Sequence, residues 1–172
     1  MSPLVFYLSD GLFAAVAAVG FAAISRPTLR IAAVAGSLAA LGHVSRTLLL
    51  HATSMGISSA SLCAAAIIGL ASIPCANRWH TPAEMFVFPA LLPMVPGMFA
   101  YKAILAILQF LGAVGVAQRQ DLLVSVVFNG LTAFFIMSGL AIGAILPLLL
   151  LHRDAPLPRF WRQILRRVRR AG

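Results

Sequence analysis

Residues 81–102, TPAEMFVFPALLPMVPGMFAYK, interrupt a stretch that is otherwise apolar enough for a membrane. Pro89, Pro93 and Pro96 each remove a backbone N–H donor, and Gly97 follows directly. In lipid, carbonyl groups that lose their partners must be satisfied by neighbouring helices, side chains or water. We therefore predict a broken helix at residues 93–97, inside a bundle or beside a polar cavity, as at the substrate sites of transporters. A proline kink kept only for packing is the alternative.

The composition around this break is that of an integral membrane protein. Of the 172 residues, 61% are hydrophobic and 10% are charged, against about a quarter charged in soluble domains. The mean hydropathy is +0.98. At about 20 apolar residues per crossing, the chain has room for four to six spans and for no soluble catalytic domain. Cys63 and Cys75 are too far apart on one predicted helix to form a disulfide, and too few to make a four-ligand metal site.

Five apolar runs divide the chain, at about residues 3–25, 28–51, 55–75, 82–116 and 121–151. The fourth run contains the break and, at roughly 35 residues, is either one broken, tilted span or two short ones. We expect an all-α membrane protein with five transmembrane helices in residues 1–151 and a basic amphipathic cytoplasmic tail at 152–172. The N-terminus lacks the basic region of a signal peptide, so no cleavage is expected.

The positions of the basic residues predict the orientation in a bacterial inner membrane. The net charge is +9, and seven of the thirteen Lys and Arg residues lie in residues 153–170. This bias favours a cytoplasmic C-terminus that contacts anionic lipids, and not a nucleic-acid surface. With five spans the N-terminus is outside, the loops at residues 26–30 and Arg78 are inside, and only Arg119 is outside. A sixth span would move residues 26–30 outside, so five spans are favoured.

Ionisable side chains inside the apolar runs are candidate functional residues, because a membrane makes them costly. In this orientation Asp10, His43 and Arg46 lie at a similar depth, roughly 7 to 12 Å from the outer ends of their spans. Asn129 of the last run reaches the same level, so the four residues are expected to converge. We expect Asp10 to pair with Arg46 or His43, because opposite charges offset each other's desolvation. The alternative is that Arg46 extends to the surface and His43 only fills space.

The predicted pathway for substrate or protons has further members near the break and in the last run. Lys102, one turn beyond the break, is expected to attract an anionic substrate or pair with an acidic residue. Gly97 is expected to need positive φ or close backbone approach, so Gly97→Leu should abolish transport. The full predicted set is Asp10, His43, Arg46, Pro93, Pro96, Gly97, Lys102, Asn129 and Thr132.

Other features have structural or rival interpretations. Glu84 fits a capping box with Thr81, which explains it without a role in transport. Gly139 and Gly143 have the spacing that lets another helix approach closely. An intramembrane enzyme is the rival class, but no HExxH pair and no serine in a nucleophile elbow is present. We therefore expect no enzyme activity, no metal and no cofactor.

Several short motifs, taken together with their spacing, resemble one family over residues 10–147. They are Gly36-Ser37, Gly42-His43, Ser45-Arg46, Pro93-Met-Val-Pro96-Gly97, Ala100-Tyr101, Asn129-Gly-Leu-Thr132-Ala133 and Ile142-Gly143 before Pro147. The set resembles the small membrane subunit of split members of the threonine/serine exporter family (ThrE type, YjjB-like). The longer Arg-rich tail and the Ala-rich spans depart from that pattern and leave the substrate open.

The resemblance implies one half of a proton-linked exporter of threonine and serine, or of dicarboxylates such as succinate. It implies a larger membrane subunit with a cytoplasmic domain as the partner, and it leaves a higher oligomer open. A five-span partner of that kind would run in the opposite orientation, so that the two chains form an inverted pair with a site at their interface. A structural or channel-like subunit that does not itself transport is the alternative.

Overall fold

The computed structural model describes residues 3–24 and 26–151, with side chains from residue 5 onward. These residues form α-helices and one short 3-10 helix, without a strand. The elements are α1 (Pro3–Ile24), α2 (Leu29–Ala52), α3 (Ile57–Trp79), α4 (Glu84–Leu91), the 3-10 turn Leu92–Met94, α5 (Gly97–Gly112) and α6 (Val116–Leu151). The predicted all-α class is confirmed, whereas the predicted tail at 152–172 lies outside the described residues.

Four of these helices, α1, α2, α3 and α6, are long and apolar enough to cross a membrane. Helix α4 with its 3-10 turn passes the same test together with α5, although the two parts are bent by 51°. The described residues therefore contain four candidate spans, or five when the bent pair counts as one. The predicted break lies where it was expected, between Met94 and Gly97.

The relative direction of α3 and α6 indicates how many times the broken segment, α4 with α5, crosses the membrane. Gly139 lies against Ser58, and Gly143 lies against Ala65, so both helices run in the same direction. One crossing between α3 and α6 produces this parallel arrangement. Two crossings, or a loop that returns to the same side, would make α6 antiparallel to α3. The packing therefore favours α4 and α5 as one broken span.

The helices α1, α2, α3, α6 and α5 pack side by side in that order, and α4 lies against α2. The core is mostly alanine, arranged around larger buried side chains such as Ile68, Phe86 and Met94. Small residues let helix backbones approach closely, which matters in lipid because no hydrophobic force drives one helix onto another. Next to Asp10, a Cβ on Gly11 would lie only 2.9 Å from Val44 Cγ2, so the glycine lets α1 approach α2 closely.

Three local predictions are wrong. Helix α3 continues past Cys75 to Trp79 and ends where His80 adopts a left-handed conformation. The capping box is absent, because the Thr81 hydroxyl donates to the carbonyl of Trp79 at 3.0 Å, and α4 has no side-chain cap. Helix α6 begins at Val116, five residues earlier than expected. In its first turn, Arg119 Nε donates to the carbonyl of Ala113, the C-cap residue of α5, at 2.9 Å.

Candidate functional site: a polar chain that ends on the broken helix

Asp10, His43 and Arg46 meet at the contact between α1 and α2. His43 Nδ1 lies 2.9 Å from Asp10 Oδ2, and Arg46 Nη2 lies 3.2 Å from His43 Nε2. The side chains of His43 and Asp10 are 17% and 24% exposed. The structure thus brings together three of the four residues that were expected to converge. Asp10 pairs with His43, which stands between it and Arg46.

The hydrogen bonds of this cluster assign the tautomer of His43. A guanidinium group has only donors, so Nε2 of His43 must accept from Arg46. The ring proton is then on Nδ1, which donates to the Asp10 carboxylate. In this arrangement His43 is neutral, and the opposite charges of Asp10 and Arg46 lie on its two sides. The cluster therefore holds two charges in the membrane region with no net charge.

Thr47 is a fourth member of the cluster. Its hydroxyl donates to Asp10 Oδ2 at 2.7 Å and also lies 3.0 Å from the carbonyl oxygen of His43. Thr47 was not predicted from the sequence, because its side chain does not ionise. Its position four residues after His43, which places both on one helix face, is the signal that could have found it.

Arg46 connects the cluster to the break in the helix. Its Nη1 lies 3.4 Å from the carbonyl oxygen of Met94, a residue that is 1% exposed. In a continuous helix this carbonyl would accept from the N–H of residue 98. Here the Gly97 N–H donates to the carbonyl of Val95, and α5 begins as a separate helix at Gly97. A side chain of a neighbouring helix thus satisfies a freed carbonyl, as expected for a break inside a bundle.

Other predicted residues lie elsewhere. Asn129 was expected to join the cluster, but its amide donates to the Ser125 carbonyl at 2.8 Å on its own helix. The expectation fails because α6 packs against α3 and α5 and not beside α1 and α2. Thr132 donates to the carbonyl of Phe128 at 2.7 Å, again within α6. Lys102 is exposed on α5.

Gly97 does not have the conformation that was expected of it. No glycine among the described residues has positive φ, and a Cβ on Gly97 would meet no atom within 4 Å. The predicted steric need for glycine is therefore wrong within this chain. The prolines keep their predicted structural effect, because Pro96 precedes α5 with a non-helical ψ of 53°.

Several candidate spans, with a polar chain that ends on a broken helix, are features found in multi-pass membrane proteins of the transporter type. The chain belongs to the threonine/serine exporter (ThrE) family, whose family model matches residues 10–150. A relative from Haemophilus influenzae, described as an uncharacterized protein, is 36% identical over 149 residues. These residues are 87% of this chain and 49% of the relative, so the chain spans about half of that relative's length. No solved structure matches the chain.

Proposed function

We propose that this chain is the small membrane subunit of a two-component, proton-coupled exporter of threonine and serine, or of dicarboxylates such as succinate. Family membership supports transport of the threonine/serine exporter type. The observation that carries the coupling is the hydrogen-bonded chain from Asp10 through His43 and Arg46 to the Met94 carbonyl. This chain links groups that can hold a proton to the segment where the helix is broken.

Protonation of His43 would change what Arg46 can contact. A proton on Nε2 turns that atom from an acceptor into a donor and places a second positive charge beside the guanidinium group. Arg46 must then leave His43, and the same movement alters its contact with Met94. Because Met94 directly precedes the bend, the proton state of the cluster is coupled to the position of α5.

Thr47 lets Asp10 exist in either protonation state. When Asp10 is ionised, the Thr47 hydroxyl donates to it, as in the structure. When Asp10 is protonated, its own O–H can donate to Thr47, whose proton then points to the carbonyl of His43 at 3.0 Å. Asp10 is hydrogen-bonded in both protonation states, so a proton can bind to it and leave it without leaving a buried polar group unpaired.

Arg46 is also the group in this cluster that can bind an anionic substrate. Its Nε is buried and has no hydrogen-bond partner among the described residues. A carboxylate is common to amino acids and dicarboxylates, and it fits the donor geometry of a guanidinium group. A proton on His43 would free Nη2 of Arg46 for the same ligand, so proton binding and substrate binding would support each other.

A second membrane unit completes the proposed exporter. The matched region is 49% of the relative, and the rest of the relative supports a further unit of similar size. With the N-terminus outside and five spans, a five-span partner in the opposite orientation would place a shared site near the broken helix. An alkaline phosphatase fused to the C-terminus should then be inactive, because the tail faces the cytoplasm. An active fusion would reject this orientation.

Export assays with single variants test the proposed site. We expect Asp10→Asn and Arg46→Gln each to lower export of threonine or succinate by about a hundredfold or more, in the range of lost proton-transfer groups. Ser9→Ala is the matched control, because Ser9 adjoins Asp10 but its hydroxyl donates only within α1, to Phe6 at 2.9 Å. All three variants should reach the membrane in normal amounts. Normal export by both site variants would remove this site from the mechanism.

Deletion of the chain separates the exporter from the structural alternative. Loss of an exporter should raise intracellular threonine when cells are fed peptides, or succinate under anaerobic conditions. Unchanged efflux of both substrates would favour a subunit that does not itself transport.

A further inference from the structure

A second polar pair lies at the end of the bundle where α2 ends, beyond the Asp10 cluster. The hydroxyl of Tyr7 is 3.2 Å from Nδ1 of His51, and their ring centroids are 6.0 Å apart. Tyr7 is partly buried between the helices, whereas His51 is exposed. The pair therefore joins an exposed side chain to a partly buried one.

Helical spacing places this pair directly above the cluster. Tyr7 precedes Asp10 by three residues on α1, and His51 follows Thr47 by four residues on α2. These separations put each residue on the same face as its counterpart, about one turn, or roughly 5 to 6 Å, farther along its helix. The contact between α1 and α2 thus carries two stacked polar layers.

We propose that Tyr7 and His51 transfer protons between water at this end of the bundle and the Asp10–His43 pair. The proposal rests on the proposed proton-coupled function and adds two residues to it. His51 is the group in contact with water, and Tyr7 is the relay to the interior. Neither residue was assigned to the pathway from the sequence.

The proton balance is that of a simple relay. When Nδ1–H of His51 donates to the Tyr7 oxygen, a proton from water binds Nε2, and the Nδ1 proton moves to Tyr7. Tyr7 releases its own hydroxyl proton toward the Asp10 carboxylate, with one bridging water over the remaining turn. One proton arrives and one leaves, so His51 and Tyr7 end with the charges they had at the start.

The surroundings of the pair suit this role. Phe6 packs against the His51 ring at a centroid distance of 5.9 Å and shields one side of it. The charged or titratable groups nearest along the α1–α2 contact are Asp10, His43 and Arg46, one layer below. Among the described residues, the hydrogen bonds and ion pairs bring no charged side chain of α3, α4 or α5 to Tyr7 or His51.

An anchoring function is the competing explanation, since tyrosine is common at membrane surfaces and histidine favours helix C-termini. Tyr7→Phe separates the two, because it keeps the ring and removes only the hydroxyl. The assay uses membrane vesicles from the native host, with equal pH inside and outside and export measured over a range of pH around neutral. Phe6→Leu is the control for the loss of aromatic packing.

We expect Tyr7→Phe and His51→Asn each to slow export by about fivefold or more. This effect is smaller than that of removing a general acid or base, because water partly replaces the relay. The loss should grow as pH rises and protons become scarce. Added imidazole should restore export to His51→Gly, because the free base takes the place of the missing ring. Phe6→Leu should leave the pH profile unchanged.

Normal export by Tyr7→Phe over the whole pH range would overturn the relay, as would an equal loss in Phe6→Leu. Asp10→Asn in the same vesicles shows which proposal has failed. If Asp10→Asn loses export and Tyr7→Phe does not, the proposed function stands and only the relay is wrong. If both export normally, proton coupling through this cluster is itself rejected.

Discussion

Among the described residues, the side chain of Arg46 donates both to His43 Nε2 and to the Met94 carbonyl. His43 Nε2 and the Met94 carbonyl are both acceptors, so neither can bond the other, and the planar guanidinium group reaches both. Because one side chain donates to both acceptors, protonation of His43 would displace Arg46 and so alter its contact with Met94. At the scale of single residues, the polar cluster and the break are therefore one site, although α1 and α2 precede the break by some forty residues or more.

Two glycines of α6 allow a test of packing with the same substitution in one helix. A Cβ on Gly143 would press on the backbone of α3, with the Ala66 nitrogen only 3.2 Å away, whereas a Cβ on Gly130 would meet no atom within 4 Å. We expect Gly143→Ala to lower the free energy of unfolding by about 1–3 kcal/mol through overpacking. Gly130→Ala should raise it by up to about 1 kcal/mol through helix propensity.

Thermal unfolding of the detergent-solubilised protein measures both changes. Opposite signs for the two variants are the expected result. Equal effects would mean that α3 and α6 do not approach closely at Gly143.

At the scale of helices, the prolines keep the Met94 carbonyl available to Arg46. Replacing Pro93 and Pro96 together by alanine restores two N–H donors, so α4 and α5 can join into one helix. The Met94 carbonyl would then bond within that helix, and Arg46 would lose its acceptor. We expect the double variant to insert normally and to lose export. Spin labels at Met85 and Leu111, both exposed, should move apart by a few ångström as the 51° bend straightens.

Pro89→Ala is the control for the double variant, because Pro89 lies within α4 and does not interrupt it. It should leave the label distance unchanged. An unchanged distance in the double variant would show that packing against α2, and not the prolines, maintains the bend.

The sequence predicted the helices and the break better than it predicted the site. Apolar runs and prolines act locally, so the candidate spans and the bend could be placed from them. The meeting of Asp10 with His43 followed from equal depth in neighbouring helices. Asn129 has the matching depth in the sequence but lies on a helix that packs elsewhere, and depth alone does not say which helices are neighbours. The Met94 carbonyl is a main-chain group, so no residue type marks it.

At the scale of the whole molecule, the arrangement of helices leaves α5 open on one side. After the bend, α5 packs against α6 and carries a broad exposed apolar face. Lipid would suit most of this face but not Lys102, which lies among the exposed side chains of Met98, Tyr101 and Leu105. A lysine at the centre of a membrane helix costs about 2.5–3.5 kcal/mol on insertion scales. From this cost we propose that the partner subunit covers α5 at Lys102.

A charge reversal at Lys102 tests where the partner binds. A partner group that accepts a hydrogen bond from the ammonium group is a carboxylate or a carbonyl, so it would repel a carboxylate in its place. Native gels in mild detergent should show the complex with the unchanged chain, and we expect Lys102→Glu to abolish it while this chain still inserts. Ile104→Glu introduces a carboxylate at another exposed position of α5, about 200° around the helix from Lys102, and should leave the complex intact. An intact complex with Lys102→Glu would place the partner on another face, and the break would then not lie at a shared interface. Equal loss with both variants would contradict a specific contact at Lys102.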